Sequence, residues 1–208
     1  MPYNLTDLFV RLSVLLIAFP AHELAHAWTA YLLGDDTPLR DGRLTWRPWA
    51  HLDLMGALLF LLTGFGWAKP VRFIPARVRQ RHRYGVLWVT LAGPAVHGLF
   101  ALLAVLGLAV TLRLGWRGVS TGLYLFAFVN LILLFFNLLP LPPLDGARVL
   151  EELVPAWRRY YARLQPYALG IFLILLWLAP RFGLPVLTWL VVRPAAWVLD
   201  LLVRSLPL

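Results

Sequence analysis

The chain has 208 residues, of which 61% are hydrophobic and 14% charged, against about 45–50% and about 25% in an average soluble domain. These values exclude an ordinary soluble protein and indicate an integral membrane protein of one domain, and the absence of cysteine excludes disulfides and thiolate metal sites. The net charge of +9 comes from arginines between apolar segments, a pattern typical of cytoplasmic anchoring beside anionic lipid rather than of nucleic-acid binding.

The first apolar segment, from about Leu8 to Leu33, is long enough to span a bilayer and contains an HExxH pattern. On a helix, His22 and His26 are four positions apart and project from one face, so both imidazoles can bind one divalent metal. Glu23 lies about 100° around the helix from His22, where it can take a proton from water at the metal. The segment therefore supplies two candidate ligands and a base, but no third ligand.

A polar, turn-rich loop follows at residues 34–53. Residues 42–46 alternate weakly between polar and apolar side chains, which predicts a short strand. For His51 and Asp53, a spaced histidine and carboxylate, the favoured interpretation is packing in the loop or capping. The next apolar segment, Met55–Trp67, is too short for an ordinary spanning helix, so it is predicted to be re-entrant or interfacial.

Two longer segments come next, and both can span the membrane. The first, from about Tyr84 to Leu112, contains Gly93-Pro94, a pair that permits close helix approach and a local distortion. The second, from about Ser120 to Leu139, leads into the proline-rich residues 140–144. Three prolines in four positions end the helix there, and Asp145-Gly146 is predicted to form a turn.

Two apolar segments close the chain, from about Tyr167 to Ala179 and from about Leu184 to Val203. Arg193-Pro194 interrupts the second, which leaves open whether both span. The predicted fold is an all-α polytopic membrane protein with about five or six membrane segments, one of them re-entrant, and a short extended stretch near the site. All 208 residues are assigned to one domain, with a core over residues 8–165 and a C-terminal helical hairpin over about 166–205.

Asp145 is the candidate third metal ligand, because a carboxylate on a rigid turn at a membrane segment is costly unless it lines a cavity or meets a charge. The arginines at residues 77–83 and 148–163 indicate cytoplasmic loops, which puts Asp145 at the cytoplasmic end of its segment. For the two histidines to share that depth, the first segment must also run towards the cytoplasm. Segment 55–67 must then enter and leave the membrane on the same side.

Four motifs occur in an order that resembles the site-2 protease family, which consists of membrane-embedded zinc metalloproteases. The motifs are HELAH at 22–26, GWAKPV at 66–71, LAGP at 91–94 and NLLPLPPLDG at 137–146. The similarity covers about residues 8–165 and is to the compact bacterial branch that lacks a PDZ domain. It implies one zinc ion per chain, bound by His22, His26 and Asp145, with Glu23 as the catalytic base.

One position departs from the family pattern. Three residues after Gly-Pro the family commonly has an asparagine that positions substrate or stabilises the oxyanion, and this chain has His97. A neutral imidazole N–H can donate the same hydrogen bond, while approach to the metal and simple packing are the alternatives. Asn137 is a second candidate for positioning, and it can either donate to a metal ligand or form an interhelical hydrogen bond.

The resemblance implies an intramembrane zinc metalloprotease that hydrolyses transmembrane or membrane-adjacent segments. It would be a multi-pass protein of the inner or plasma membrane with its site towards the cytoplasm; no nucleic acid is expected, and the oligomeric state is left open. Near Trp67, Lys69 and Pro70, an unwound substrate can pair with the extended stretch in β fashion.

Three alternatives remain. The first is a polytopic metal-binding carrier or sensor with the same ligands, which would not need Glu23. The second is a structural relative without activity. The chain has all three candidate ligands and the base, which argues against this alternative. The third is a different membrane zinc protease with Glu151 or Glu152 as the third ligand.

Overall fold

The computed structural model describes residues 5–154 and 156–206, and it is mostly helical, as predicted. The assignment of residues 1–4, 155 and 207–208 to the domain lies outside the described residues. The α-helices are α1 Leu5–Leu32, α2 Thr37–Arg40, α3 Leu54–Thr63, α4 Pro75–Arg81, α5 Gly85–Arg113, α6 Arg117–Asn137, α7 Asp145–Leu153, α8 Trp157–Leu164, α9 Ala168–Leu173 and α10 Arg193–Arg204. Within the described ranges, α1, α5 and α6 are long and apolar enough to cross a membrane.

Helix α1 changes its winding just before the HExxH residues. A π-helical turn, Val14–Ala18, precedes the α-helical part Phe19–Leu32. Pro20 lies just after this turn and lacks the N–H that would donate one turn back, so the wider π winding lies where that backbone hydrogen bond is missing. The helix ends before Gly34, which adopts the left-handed φ of +89° that glycine accommodates without strain. The predicted first segment is thus confirmed as one long helix.

Helices α5 and α6 pack against each other through small and branched side chains. Ala101 and Val105 of α5 meet Ala127 and Leu131 of α6, and Leu199 of α10 joins this buried cluster. The outward side of α5 instead exposes large apolar side chains, namely Leu102, Leu103, Leu106 and Val110. Exposed apolar surface of this kind is typical of a face that contacts lipid.

Helix α3 has 10 residues and is therefore about 15 Å long, half of the hydrocarbon thickness of about 30 Å. Asp53 caps its first turn, because its Oδ1 accepts a hydrogen bond of 2.9 Å from the N–H of Gly56. At the other end, Arg11 of α1 donates to the carbonyl oxygens of Phe60 and Leu61, both at 3.0 Å. The capping role of Asp53 is thus confirmed, and α3 is held at both ends.

The chain after α3 is extended over residues 66–71, as predicted. Ala68 forms an antiparallel bridge with Leu52, and the N–H of Lys69 donates to the carbonyl of His51 at 2.7 Å. His51 is fully buried, which agrees with its predicted packing role. The extended segment is therefore joined to the loop that precedes α3.

The prediction of a short strand at residues 42–46 is wrong. Gly42 has a φ of +67°, and the N–H of Arg43 donates to the carbonyl of Pro38 at 2.8 Å, which closes a turn. The imidazole Nε2 of His51 donates to the carbonyl of Thr45 at 2.8 Å. These contacts fold the segment back on itself, so its weak alternation does not lead to strand pairing.

The C-terminal region is more broken than a regular helical hairpin. Helix α9 continues as π-helical Ile174–Leu178 and ends in the 3₁₀ turn Ala179–Phe182. The π-helical segment Thr188–Val192 precedes α10, and prolines at positions 180, 185 and 194 accompany these changes. Five or six membrane segments are predicted from the sequence. In the part of the chain that the structure describes, three helices are long and apolar enough to span a membrane.

Helix α5 passes very close to α1 at Gly93. A methyl group built on Gly93 would overlap imidazole atoms of both His22 and His26. At Gly98 the nearest atom would be a Leu134 methyl at 3.9 Å, an ordinary contact. The close helix approach predicted from Gly93-Pro94 is thus confirmed.

Gly93→Ala should lower the unfolding temperature of the detergent-purified protein, because overpacking a tight contact costs about 1–3 kcal/mol. Gly98→Ala is the matched control and should leave the temperature unchanged or raise it slightly, because alanine in an uncrowded helix interior is favoured over glycine by up to about 1 kcal/mol. The unfolding temperatures are measured with a metal chelator present, so that differences in metal binding do not contribute to them. Equal unfolding temperatures for the two variants would contradict the close approach at Gly93.

Candidate metal centre

Three side chains from two separate regions meet beside α5. The Nε2 atoms of His22 and His26 are 2.9 Å apart, and each lies 3.4 Å from Oδ2 of Asp145. Ligand atoms about 2.0–2.1 Å from a tetrahedral zinc ion are about 3.3–3.4 Å from one another. Among the described residues, this trio forms the group of His, Cys, Asp or Glu side chains suited to a metal ion.

The hydrogen bonding of the trio also fits a metal. His26 Nδ1 donates to the carbonyl of Val89 at 2.7 Å, so the neutral ring presents the lone pair of Nε2 to the centre. Asp145 Oδ2 is buried and has no hydrogen-bond partner. A buried carboxylate oxygen needs a compensating partner, and a divalent cation between the three ligand atoms would be one.

Asp145 reaches the centre because the chain turns sharply between α6 and α7. The proline-rich residues 140–144 separate the helices, and Asp145 is the first residue of α7. A methyl group on Gly146 would overlap the backbone carbonyls of Leu138 and Leu139. Glycine therefore lets the start of α7 lie against the end of α6, which brings the carboxylate to the histidines.

The electrostatics favour the ionised form of Asp145. Burial raises the pKa of its carboxyl, but when no metal is bound and the adjacent imidazoles of His26 and His22 are protonated, their charge and hydrogen bonds outweigh burial and hold that pKa well below its ordinary value. A metal-binding carboxyl must be deprotonated, so Asp145 meets this requirement at neutral pH.

The two glutamates considered as alternative third ligands are engaged elsewhere. Glu152 forms a close ion pair with Arg79 of α4, and Arg158 lies 3.6 Å from Glu151. Neither glutamate belongs to the group of converging ligand atoms. The geometry favours Asp145 over both.

Glu23 is buried beside the ligands and contacts the extended segment. Its Oε2 accepts a hydrogen bond of 3.0 Å from the N–H of Val71 and lies 3.6 Å from Nη2 of Arg43. The sequence gives no signal for the contact with Arg43, because the two residues are 20 positions apart in different elements and follow no helical or strand period.

One cavity of about 640 Å³ joins these groups. Trp67 and Pro70 of the extended segment line it, as predicted, whereas Lys69 lines a separate pocket beside Asp41 and Arg72. Aromatic rings close one side, with Phe65 and Phe172 stacked at a centroid distance of 4.4 Å; further lining residues are His22, Glu23, His26, His97, Phe136, Asn137 and Asp145.

His97 is almost fully buried at the cavity wall, and its ring centroid is 4.9 Å from that of His22. Asn130 donates its amide N–H to the carbonyl of Phe126 at 2.9 Å, which identifies its Oδ1 as an acceptor. His97 Nδ1 therefore donates to that oxygen, at 2.9 Å. In the neutral ring the remaining nitrogen, Nε2, is an acceptor rather than a donor.

Asn137 also lines the cavity, at the last turn of α6. Its amide donates to the carbonyl of Leu133 in the same helix at 2.9 Å. That bond is neither of the two predicted for it, since it reaches neither a metal ligand nor another helix.

Comparisons with known proteins agree with this chemistry. Residues 111–179, which include Asp145, match the model of peptidase family M50. YwhC of Bacillus subtilis, named as a candidate zinc metalloprotease, is 41% identical over 181 residues, or 83% of this chain and 82% of YwhC. Rip2 of Mycobacterium tuberculosis, also named as a candidate zinc metalloprotease, is 35% identical over 181 residues, or 81% of this chain and 66% of Rip2.

Rip2 of Mycolicibacterium smegmatis is 30% identical over 171 residues, which are 77% of this chain and 64% of that protein. No solved structure gives a significant match. The relatives confirm the resemblance to the site-2 proteases. The chain therefore belongs to peptidase family M50 and is a zinc metalloprotease of the membrane.

Proposed function

We propose that the protein hydrolyses peptide bonds of transmembrane or membrane-adjacent segments, with His22, His26 and Asp145 as the zinc ligands and Glu23 as the general base. The observation that carries this proposal is the meeting of all four side chains at one cavity between apolar helices. Zinc at this place would lower the pKa of water towards about 7 and polarise a peptide carbonyl.

The protein's own residues prepare Glu23 for proton transfer. Val71 and Arg43 both engage Oε2, so we assign Oε1 to receive the proton from water and to deliver it to the leaving amine. The buried position of Glu23 beside the ligands supports this role. Holding the carboxylate in a fixed orientation beside the metal ligands lowers the entropy cost of bringing the base and water together.

The substrate would bind as an unwound, extended peptide. A helical peptide bond is shielded by its own hydrogen bonds, whereas an extended peptide can pair with another extended segment. Residues 66–71 supply such a segment along the cavity wall, and Val71 links it directly to Glu23. The scissile bond would therefore lie between the extended segment and the metal ligands.

His97 would position the substrate by accepting a hydrogen bond. Its Nδ1–H is used by Asn130, so a neutral His97 offers Nε2 to a peptide N–H at the cavity. Oxyanion stabilisation would need a donor, which this ring becomes only as an imidazolium. Asn137 also lines the cavity and can add a further contact through its carbonyl oxygen or its second amide N–H, since one N–H is engaged.

We further propose that all 208 residues form one domain in the plasma membrane, with the site facing the cytoplasm. The arginine-rich residues 77–83 and 148–163 support that orientation. Helix α3 would enter and leave on the cytoplasmic side, because it is too short to cross. The C-terminal segments 168–182 and 188–204 would complete five or six membrane segments.

Asp145→Ala should lose zinc. Purified wild-type protein is expected to hold about one zinc ion per chain, and the variant much less, because two histidines alone leave the site incomplete. Glu151→Ala is the matched control and should keep the wild-type content. Full zinc content in Asp145→Ala, measured by elemental analysis, would remove Asp145 from the site.

Glu23→Gln should abolish cleavage of a single-pass membrane peptide while zinc content stays unchanged. Losing a general base typically lowers the rate by about 10²–10⁴-fold, and the amide preserves the shape of the side chain. The assay compares product formation with wild type and with Glu152→Gln. Cleavage that survives in Glu23→Gln would refute the mechanism, and a wild type that binds zinc without cleaving would favour the metal carrier.

His97→Leu should raise the KM for the peptide by about tenfold, the equivalent of one hydrogen bond of about 1.4 kcal/mol, with zinc retained. His97→Asn keeps a polar acceptor, so its KM should lie between those of wild type and His97→Leu. Steady-state kinetics and metal analysis of the three proteins test this. An unchanged KM in His97→Leu would assign the residue to packing, and loss of zinc would assign it to the metal.

A further inference from the structure

We propose that Arg43 is a positioning residue of the protease, which holds the Glu23 carboxylate and the extended segment 66–71 in one fixed arrangement. This inference rests on the proposed function, because it concerns how the general base and the substrate-binding segment are kept together. Arg43 lies in the loop between α2 and α3 and carries no recognisable sequence signal.

The guanidinium of Arg43 bridges two structures that are distant in sequence. Its Nη2 donates a close hydrogen bond to the carbonyl of Lys69 and lies 3.6 Å from Oε2 of Glu23. The N–H of Val71 reaches the same Oε2 at 3.0 Å. Arg43, Glu23 and residues 69–71 therefore form a closed ring of polar contacts.

The burial of Arg43 distinguishes it from its neighbours. Its side chain is 5% exposed and that of Glu23 9%, whereas that of Arg40, the last residue of α2, is 71% exposed and pairs with Asp36. A charge that only anchors a loop at the lipid headgroups would stay in water. Burying a charge is costly unless it is paired, so the position of Arg43 indicates a specific partner.

Backbone hydrogen bonds of the surrounding loop fix the positions of Arg43 and of its partner Lys69. Its N–H donates to the carbonyl of Pro38 after the left-handed Gly42. On the other side, the His51 carbonyl accepts from the N–H of Lys69 at 2.7 Å. The carbonyl of Lys69 thus accepts from Arg43, and its N–H donates to His51. These two hydrogen bonds join the extended segment to the loop.

Loss of the guanidinium would release both links at once. Glu23 would lose its charged partner, which should lower kcat because the base is less well oriented. The Lys69 carbonyl would lose its donor, which should raise KM because the extended segment is less well held. A lysine at position 43 keeps the charge, but its ammonium lies one bond closer to the backbone than Nη2 of arginine, so it should hold both partners less closely and restore the two links only in part.

The test compares Arg43→Ala, Arg43→Lys and the exposed control Arg40→Ala in the full chain, with a single-pass membrane peptide as substrate. Arg43→Ala is expected to lower kcat by about tenfold to a hundredfold, as does removal of groups that orient a metal site, and to raise KM, with zinc retained. Arg43→Lys should be intermediate. Arg40→Ala should stay within about twofold of wild type, as surface substitutions usually do.

Wild-type kcat and KM in Arg43→Ala would overturn the inference, and so would a loss of activity that parallels loss of zinc, since that would mark a purely structural role. If Arg43→Ala does not fold, Arg43→Lys decides, and wild-type kinetics in that variant would overturn the bridging role. These outcomes test the role of Arg43 only if wild type cleaves the peptide and Glu23→Gln does not. If wild type does not cleave, or if Glu23→Gln still cleaves, the proposed function is wrong instead.

Discussion

Ionisable side chains buried between apolar helices are the constraint on which the rest of this structure depends. Two imidazoles and two carboxylates occupy a region where polar groups without partners are expensive. His22, His26 and Asp145 face one another and can share a cation, while Glu23 is held by a backbone N–H and an arginine. The helices around them bring the three candidate ligand atoms together and place Glu23 beside its two partners.

Several local features serve that arrangement. Gly93 lets α5 approach the two histidines, and Gly146 lets the start of α7 lie against the end of α6. Arg11 holds the C-terminal end of α3, which sets where the extended segment 66–71 begins. That segment in turn reaches Glu23 through Val71. The positions of the base, the ligands and the cavity wall are therefore coupled through backbone contacts as well as through side chains.

Much of the site could be predicted because its signals are local. Histidines four positions apart on a helix must share a face, and prolines before Asp145 must end a helix. The strand predicted at residues 42–46 failed for a related reason: weak alternation is a poor guide where a left-handed Gly42 closes a turn. The irregular C-terminal segments escaped prediction because apolar composition does not distinguish α from π or 3₁₀ winding.

The sequence by itself determined the membrane class, the three long apolar helices, the two histidines with their adjacent base, and Asp145 as the third candidate ligand. These follow from composition, from helical period and from the backbone limits of proline, all of which act over short stretches. Only the tertiary structure decided the pairing of Arg43 with Glu23, the hydrogen bond that makes His97 Nε2 an acceptor, and the identity of α1 as the helix that Gly93 lets α5 approach. Those contacts join residues far apart in the chain, and no local period encodes them.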